Sequence, residues 1–204
     1  MKFEEWEPVY REIVEYFGFD RKEDERAAEI LAGLLDRDDL PLLARLIAGK
    51  DVCVCGNAPA LSREISLVTG CVLAADAAAL VLYAHGIRPD AIFTDLDGAQ
   101  DEFIDMNREG TIIVVHAHGD NIPLLCSWVP RFPGPVVGTT QSRPLPRVHN
   151  FGGFTDGDRA VFAAQALGAS GITLRGFDLD DTRVDRMKRA KLAWARRLLR
   201  QILP

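Results

Sequence analysis

The sequence predicts an α/β fold: a mostly parallel sheet with helices on both faces, preceded by a small helical N-terminal region. Three observations carry that expectation. From Asp51 onward, short apolar runs alternate with stretches of helical period. The runs are close to continuously apolar, as strands covered on both faces are. Several of them run directly into acidic residues, glycines or small polar groups, as strands do when they deliver side chains to one rim of an open sheet.

The elements follow in order. Trp6, Val9, Tyr10, Ile13, Val14 and Phe17 recur at helical spacing, and Gly18 suits a stop. A second helix starts near Arg21, with Ile30, Leu31, Leu34 and Leu35 on one face, and a third runs from near Asp39 to Ala48 before Gly49. Residues 1–49 therefore read as a helical cap used for packing, and residues 50–204 as the α/β domain. The expected strands are 52–55, 71–74, 91–93, 111–115, 135–137 and 172–174; the expected helices are 59–68, 76–85, 120–128, 156–167 and 184–202. Residues 130–155 are rich in proline, glycine and threonine, and a connection of that length is often functional.

Bulk properties narrow the function classes. The 204 residues suit one domain with a small appendage, and 48% hydrophobic with 26% charged content suits a globular chain. A net charge of -6 argues against a broad nucleic-acid surface, while leaving room for a local basic pocket. The first residues lack the apolar core of a signal peptide, and no apolar run approaches a membrane span, so the expected location is the cytoplasm. Cys53, Cys55, Cys71 and Cys126 form neither a CxxC pair nor a zinc-ribbon spacing, and buried free cysteine commonly acts as a small core residue.

The candidate chemistry centres on Ala91-Ile-Phe-Thr-Asp95-Leu-Asp97-Gly98. If the strand continues, the Asp95 and Asp97 side chains share a face, roughly 6.6 Å apart along it. Two like charges held together favour a cation, and oxygen-only ligands favour magnesium or manganese. The same spacing also suits a solvated Asp-x-Asp turn, so alone it leaves both readings open. Asp76 falls where a strand gives way to a helix and suits a site ligand or an N-cap. His116-Ala-His118-Gly-Asp120 again follows a strand; Asp120 suits a third carboxylate or a cap, and His118 a phosphate contact. Gly56-Asn57-Ala58-Pro59 reads as a strand-to-helix turn whose free amides hold a phosphate, or as an ordinary tight turn. Thr139, Thr140 and Gln141 offer hydroxyls and an amide to a nucleotide or heterocycle. Gly152 and Gly153 permit close approach, and Phe151 and Phe154 offer flat faces. For Asp156, capping competes with function, and Arg159 on the same helix is expected to point outward. Lys188 and Lys191 share a helix face and can supply positive charge to a polyphosphate. No Ser/His/Asp or Cys/His nucleophile arrangement is evident, so direct metal-assisted transfer to a substrate hydroxyl fits better than covalent catalysis.

As a set, CGNAPAL at 55–61, ADAAA at 75–79, GIRPDAIFTDLDG at 86–98, HAHGDN at 116–121, GTTQ at 138–141, NFGGFTDGDRA at 150–160, GFDLD at 176–180 and KRAKL at 188–192 resemble the archaeal 6-hydroxymethyl-7,8-dihydropterin pyrophosphokinase family. The resemblance covers about residues 50–204 and implies a fold related to thiamin pyrophosphokinase. It implies Mg2+-dependent transfer of diphosphate from ATP to the pterin hydroxymethyl oxygen, releasing AMP. It further implies magnesium on Asp95 and Asp97, joined by Asp76 and Asp120, phosphate or nucleotide at Gly56 and Asn57, and a pocket lined by Thr139, Thr140 and Gln141. Lys188 and Lys191 would stabilise the transferred group, and Asp120 or His118 would accept the proton. The thiamin-type DFDS reads DLDG here, which favours the pterin. A glycosyltransferase-like protein using a nucleotide sugar, thiamin diphosphokinase and a non-catalytic nucleotide sensor are the alternatives. The partners implied are small molecules, with no nucleic acid and no membrane, and a homodimer is the implied assembly.

Overall fold

The computed structural model describes residues 2–203. Three helices open the chain: α1 (Phe3–Phe17), α2 (Arg21–Leu34) and α3 (Leu40–Ile47). Trp6, Tyr10 and Ile13 form the buried stripe of α1, which ends at Gly18 in the left-handed conformation, φ 71°. Asp20 caps α2 by accepting from the Lys22 amide. The α/β part then runs β1 (Asp51–Cys55), α4 (Leu61–Glu64), β2 (Cys71–Ala75), α5 (Ala78–Ala84), β3 (Ala91–Thr94), α6 (Asp101–Arg108), β4 (Ile112–Ala117) and α7 (Ile122–Trp128). It closes with β5 (Val136–Thr140), β6 (Val148–His149), α8 (Asp156–Ala166), β7 (Gly171–Arg175) and α9 (Arg186–Leu199).

The seven strands form one sheet in the order β6-β5-β4-β3-β2-β1-β7. All of its pairings are parallel. The expected α/β class is thus the observed one, and all six apolar runs became strands. Strands β1 to β6 step across the sheet in one direction, and only β7 returns to the far side of β1. Their crossovers stack on one face, where Leu61, Leu82, Phe103 and Leu125 pack against Cys53, Val72, Ile92 and Ile113. The other face is covered by α3, α8 and α9, with Leu43, Ile47, Val161 and Leu199 against Val54, Leu73 and Phe93. Alternate residues of each strand go to opposite faces, so a sheet covered on both sides needs the continuous apolar runs read in the sequence.

The N-terminal helices join both layers. Ala27, Ala28 and Leu31 of α2 belong to the first face. Trp6, Tyr10 and Ile13 of α1 pack with Phe154, Phe162, Trp194 and Leu198 around α8 and α9. Two elements were not anticipated. Helix α6 is eight residues long and hides Phe103, Ile104 and Met106 among charged neighbours. Strand β6 has two residues inside the long 130–155 connection. The helix expected over 59–68 is only four residues of α4, followed by a 3₁₀ turn at 65–67. No helix among the described residues is long and apolar enough to cross a membrane.

Candidate active site

Parallel strands put all their carboxyl ends on one rim, and the acidic residues collect there. Strand β3 stops at Thr94, whereas an extended Asp95–Asp97 pair requires it to run on to Asp97. Leu96 takes a left-handed φ of 75° and is buried, 1% exposed. The Asp97 amide donates to Asp95 Oδ1 at 3.2 Å. The pair therefore sits in an Asx-type turn pinned by the Leu96 side chain, not on a common strand face. Thr94 links this turn to β2: its hydroxyl donates to Asp76 Oδ1 at 2.6 Å and accepts from the Leu96 amide at 2.8 Å. Asp76 itself has φ 46°, and its amide donates to the Phe93 carbonyl at 2.7 Å. It is not the cap of α5, whose N-cap is Ala77. A Cβ at Gly98 would overlap the Asp76 carboxylate, so glycine is required there for close approach.

The third acid arrives from the opposite face of the sheet. Helix α8 lies across β1, β2, β3 and β7, and its first turn overhangs the ends of β2 and β3. Asp158 does the capping, its Oδ1 accepting from the Phe154 and Thr155 amides at 2.8 and 2.6 Å. That leaves Asp156 free to face the rim. Asp76, Asp95 and Asp156 each offer a carboxylate oxygen, and these lie within 4.8 Å of one another. Asp97 and Asp120 are not in this group. Arg159, expected to point outward, is instead 8% exposed and pairs with Asp156 at 3.1 Å. Its Nε has no partner.

The electrostatics suit a cation. Burial, with the Asp95 charge beside it, holds the Asp156 carboxyl well above the ordinary carboxylate range. Burial also raises Asp76, against the opposing Thr94 hydrogen bond. Asp97 is pushed up to about 6 by burial and by Asp95. Asp95 alone goes down: burial would raise it, but His118, Arg159 and the Asp97 amide outweigh that. One strongly ionised carboxylate beside two reluctant ones suits a cation, and an all-oxygen set favours a hard divalent ion. A divalent cation at about ten times its Kd is expected to raise Tm by about 3–5 °C. Asp156→Asn should raise the Tm of the metal-free protein by relieving repulsion, and should remove the increment. Thermal melts in MgCl2 and in EDTA check both; an unchanged increment in Asp156→Asn rejects the triad.

His118 holds Asp95. Its Nδ1 accepts from the Asp120 amide at 3.3 Å, so Nε2 carries the proton and faces Asp95 Oδ2 at 3.5 Å. His116 is buried beneath it, and burial, then Arg159, hold its imidazole neutral. Thr139 donates to the Val115 carbonyl, so the 3.1 Å contact from His116 Nδ1 is a donation to the Thr139 hydroxyl. His116 Nε2 is therefore a bare acceptor without a partner.

A cavity of about 980 Å³ opens over this rim, large enough for two substrates. Of the residues expected at the site, Asp95, Asp97, His118, Asp120, Gln141, Lys188 and Lys191 line it. Five others stand outside the lining: Asp76, Gly56, Asn57, Thr139 and Thr140. The Gly56 amide donates to Arg175 and the Ala58 amide to Gly176, so the turn carrying Gly56 and Asn57 ties β1 to β7. A Cβ on Gly56 would meet the Gly176 carbonyl at 2.8 Å, which explains that glycine structurally. Thr139 is spent on Val115 and His116, and Thr140 on Ser142. Conversely, the N-terminal helices do reach the cavity: Gly18, Phe19, Asp20, Glu23 and Asp24 line it.

Asp24 connects the two parts. It is 3% exposed and accepts from Tyr10 Oη at 2.7 Å, Gln141 Nε2 at 2.7 Å and the Gly119 amide at 2.9 Å. Trp6 Nε1 adds a bond to the Gln141 carbonyl at 2.9 Å. Gly119 is glycine because a Cβ there would meet Glu23 Cβ at 2.7 Å.

Comparison with known proteins matches the profile described as 6-hydroxymethylpterin diphosphokinase MptE-like over residues 28–184. Three curated archaeal proteins named 6-hydroxymethyl-7,8-dihydropterin pyrophosphokinase are similar to the chain. That of Methanothermobacter thermautotrophicus is 39% identical, covering 98% of this chain and 94% of its own length. That of Pyrococcus furiosus is 41% identical, covering 98% and 93%. That of Methanocaldococcus jannaschii is 38% identical, covering 87% and 80%.

Proposed function

The chain belongs to the 6-hydroxymethylpterin diphosphokinase MptE-like family, and on that premise we propose that it transfers diphosphate from ATP to the hydroxymethyl oxygen of 6-hydroxymethyl-7,8-dihydropterin, with magnesium. The observation that carries the metal-dependent reading is the Asp76, Asp95 and Asp156 triad, of which Asp95 and Asp156 line a cavity that Arg159, Lys188 and Lys191 also line. The three carboxylates would hold magnesium, which would neutralise phosphate charge there. His118 keeps Asp95 ionised and oriented. Asp97, Lys188 and Lys191 flank the diphosphate being moved, the lysines compensating charge as it migrates from AMP to the pterin. The hydroxymethyl oxygen attacks the β-phosphorus, the bond to the AMP oxygen breaks, and the hydroxyl proton goes to Asp120, which lines the cavity outside the triad. Residues 50–204 form the transferase domain in this reading, and residues 1–49 a helical cap that completes its cavity.

AMP release from ATP and magnesium tests the proposal, with the pterin, thiamin and a nucleotide sugar offered in separate reactions. AMP and a pterin diphosphate formed with the pterin alone is the expected result. Turnover of thiamin in its place makes the chain a thiamin diphosphokinase. No AMP with either acceptor overturns the reading.

A further inference from the structure

The geometry points to Gln141 as the residue that reads the pterin ring, through an amide oxygen that Asp24 aims by holding the other end of the amide. The inference rests on the pterin reading above and deepens it. Gln141 lines the cavity yet is 3% exposed, so it is a built side chain rather than a surface one. Its Nε2 donates to Asp24 Oδ2 at 2.7 Å. A carboxylate only accepts, so the amide cannot reverse without placing two acceptors against each other. Oε1 is then fixed as the free end, and it is buried without a partner. Buried acceptors are rarely left unpaired, and one carried by a cavity-lining side chain is available to a ligand.

The surroundings specify a flat ring with donors on its edge. Trp6 fastens the Gln141 backbone to the aromatic cluster in which Phe154 is buried and against which Phe17 and Phe19 pack. Phe19 and Phe154 line the cavity, their ring centroids 6.4 Å apart. The side chains that the start of α2 and Gln141 bring to the lining are acceptors: Gln141 Oε1 and the carboxylates of Asp20 and Glu23, one oxygen of each carboxylate already taken by the Lys22 amide and by Arg26. The Gly119 amide, a donor nearby, is taken by Asp24. A pterin presents its N3–H and 2-amino group side by side, two donors for an acceptor-only wall. Adenine presents an amino donor beside the N1 acceptor, which such a wall leaves unpaired. The aromatic, acceptor-lined end therefore takes the pterin, and the adenine lies elsewhere in the cavity.

Two measurements test this, one changing the protein and one the ligand. Pterin binding is followed by its fluorescence, and nucleotide binding by fluorescent ATP and GTP analogues. Gln141→Leu is expected to weaken the pterin by about tenfold or more and to leave both nucleotides within twofold, because a site built to bond a donor is sensitive to losing the acceptor. Wild-type protein should discriminate by a similar factor against the 3-methyl pterin, which lacks the N3–H, and Gln141→Leu should lose that discrimination. A Tm measurement on the variant separates misfolding from lost contact. Equal binding of the pterin and its 3-methyl analogue by wild type overturns the assignment whatever the variant does. Weakened nucleotide with unchanged pterin in Gln141→Leu overturns it in favour of a purine at this wall. Wild type that neither binds nor turns over the pterin overturns the functional reading itself.

Discussion

Asp95→Asn is expected to lower kcat for AMP release by about 10³-fold or more, ~4 kcal/mol of transition-state stabilisation. Asp95 is the one member of the triad held firmly ionised, with His118 on one oxygen and the Asp97 amide on the other. Asp76 and Asp156 are both raised by burial, so neither replaces its charge. The substitution is nearly isosteric but removes a charge that the fold favours, so Tm should fall modestly while activity collapses. Steady-state AMP release with a parallel thermal melt checks this. An active Asp95→Asn, or one inactive only because it unfolds, rejects the assignment of Asp95 to the metal.

Asp24→Ala should destabilise the fold by about 3–5 kcal/mol, the range for breaking a buried charged network. The change strands Tyr10 Oη, Gln141 Nε2 and the Gly119 amide, three donors that all bond to this one carboxylate. It also frees the Gln141 amide to reverse. Asp24→Asn keeps the volume and one acceptor oxygen, so its expected loss is smaller, while its pterin KM should rise more than its kcat falls. Urea unfolding checks the first expectation and steady-state kinetics the second. Stability of Asp24→Ala within about 1 kcal/mol of wild type would show that the carboxylate does not hold the N-terminal helices to the rim.

The sheet was legible because strands buried on both faces must be apolar throughout, and such runs stand out. Helix α6 was not, since eight residues with three buried apolar side chains show barely two turns of period. At the site, Asp76 and Asp95 were legible from their place after apolar runs. Asp156 was ambiguous because an acid at a helix start serves a cap and a ligand equally well; only the hydrogen bonds to Asp158 resolve which acid caps. Arg159 was misread as outward because the path of α8 over the far face depends on strand order, which local pattern does not contain. Asp24 sits among Arg21, Lys22, Glu23 and Glu25, a stretch that reads as a solvated face. Gly56-Asn57 carried a real signal, but the need it met was the junction of β1 with β7.

The return of the chain over the far face also sets when the site comes into being. Asp76 and Asp95 stand ready once β2 and β3 have paired, but Asp156 arrives only with α8, whose seat is completed by β7 docking beside β1. Long-range parallel pairing is the slow part of folding. A ribosome-bound chain that has reached β6 therefore has most of its sheet and no complete ion site. On the metal-dependent reading proposed above, cation affinity would mark the finished molecule, and a partly folded chain would be spared from capturing the ion early.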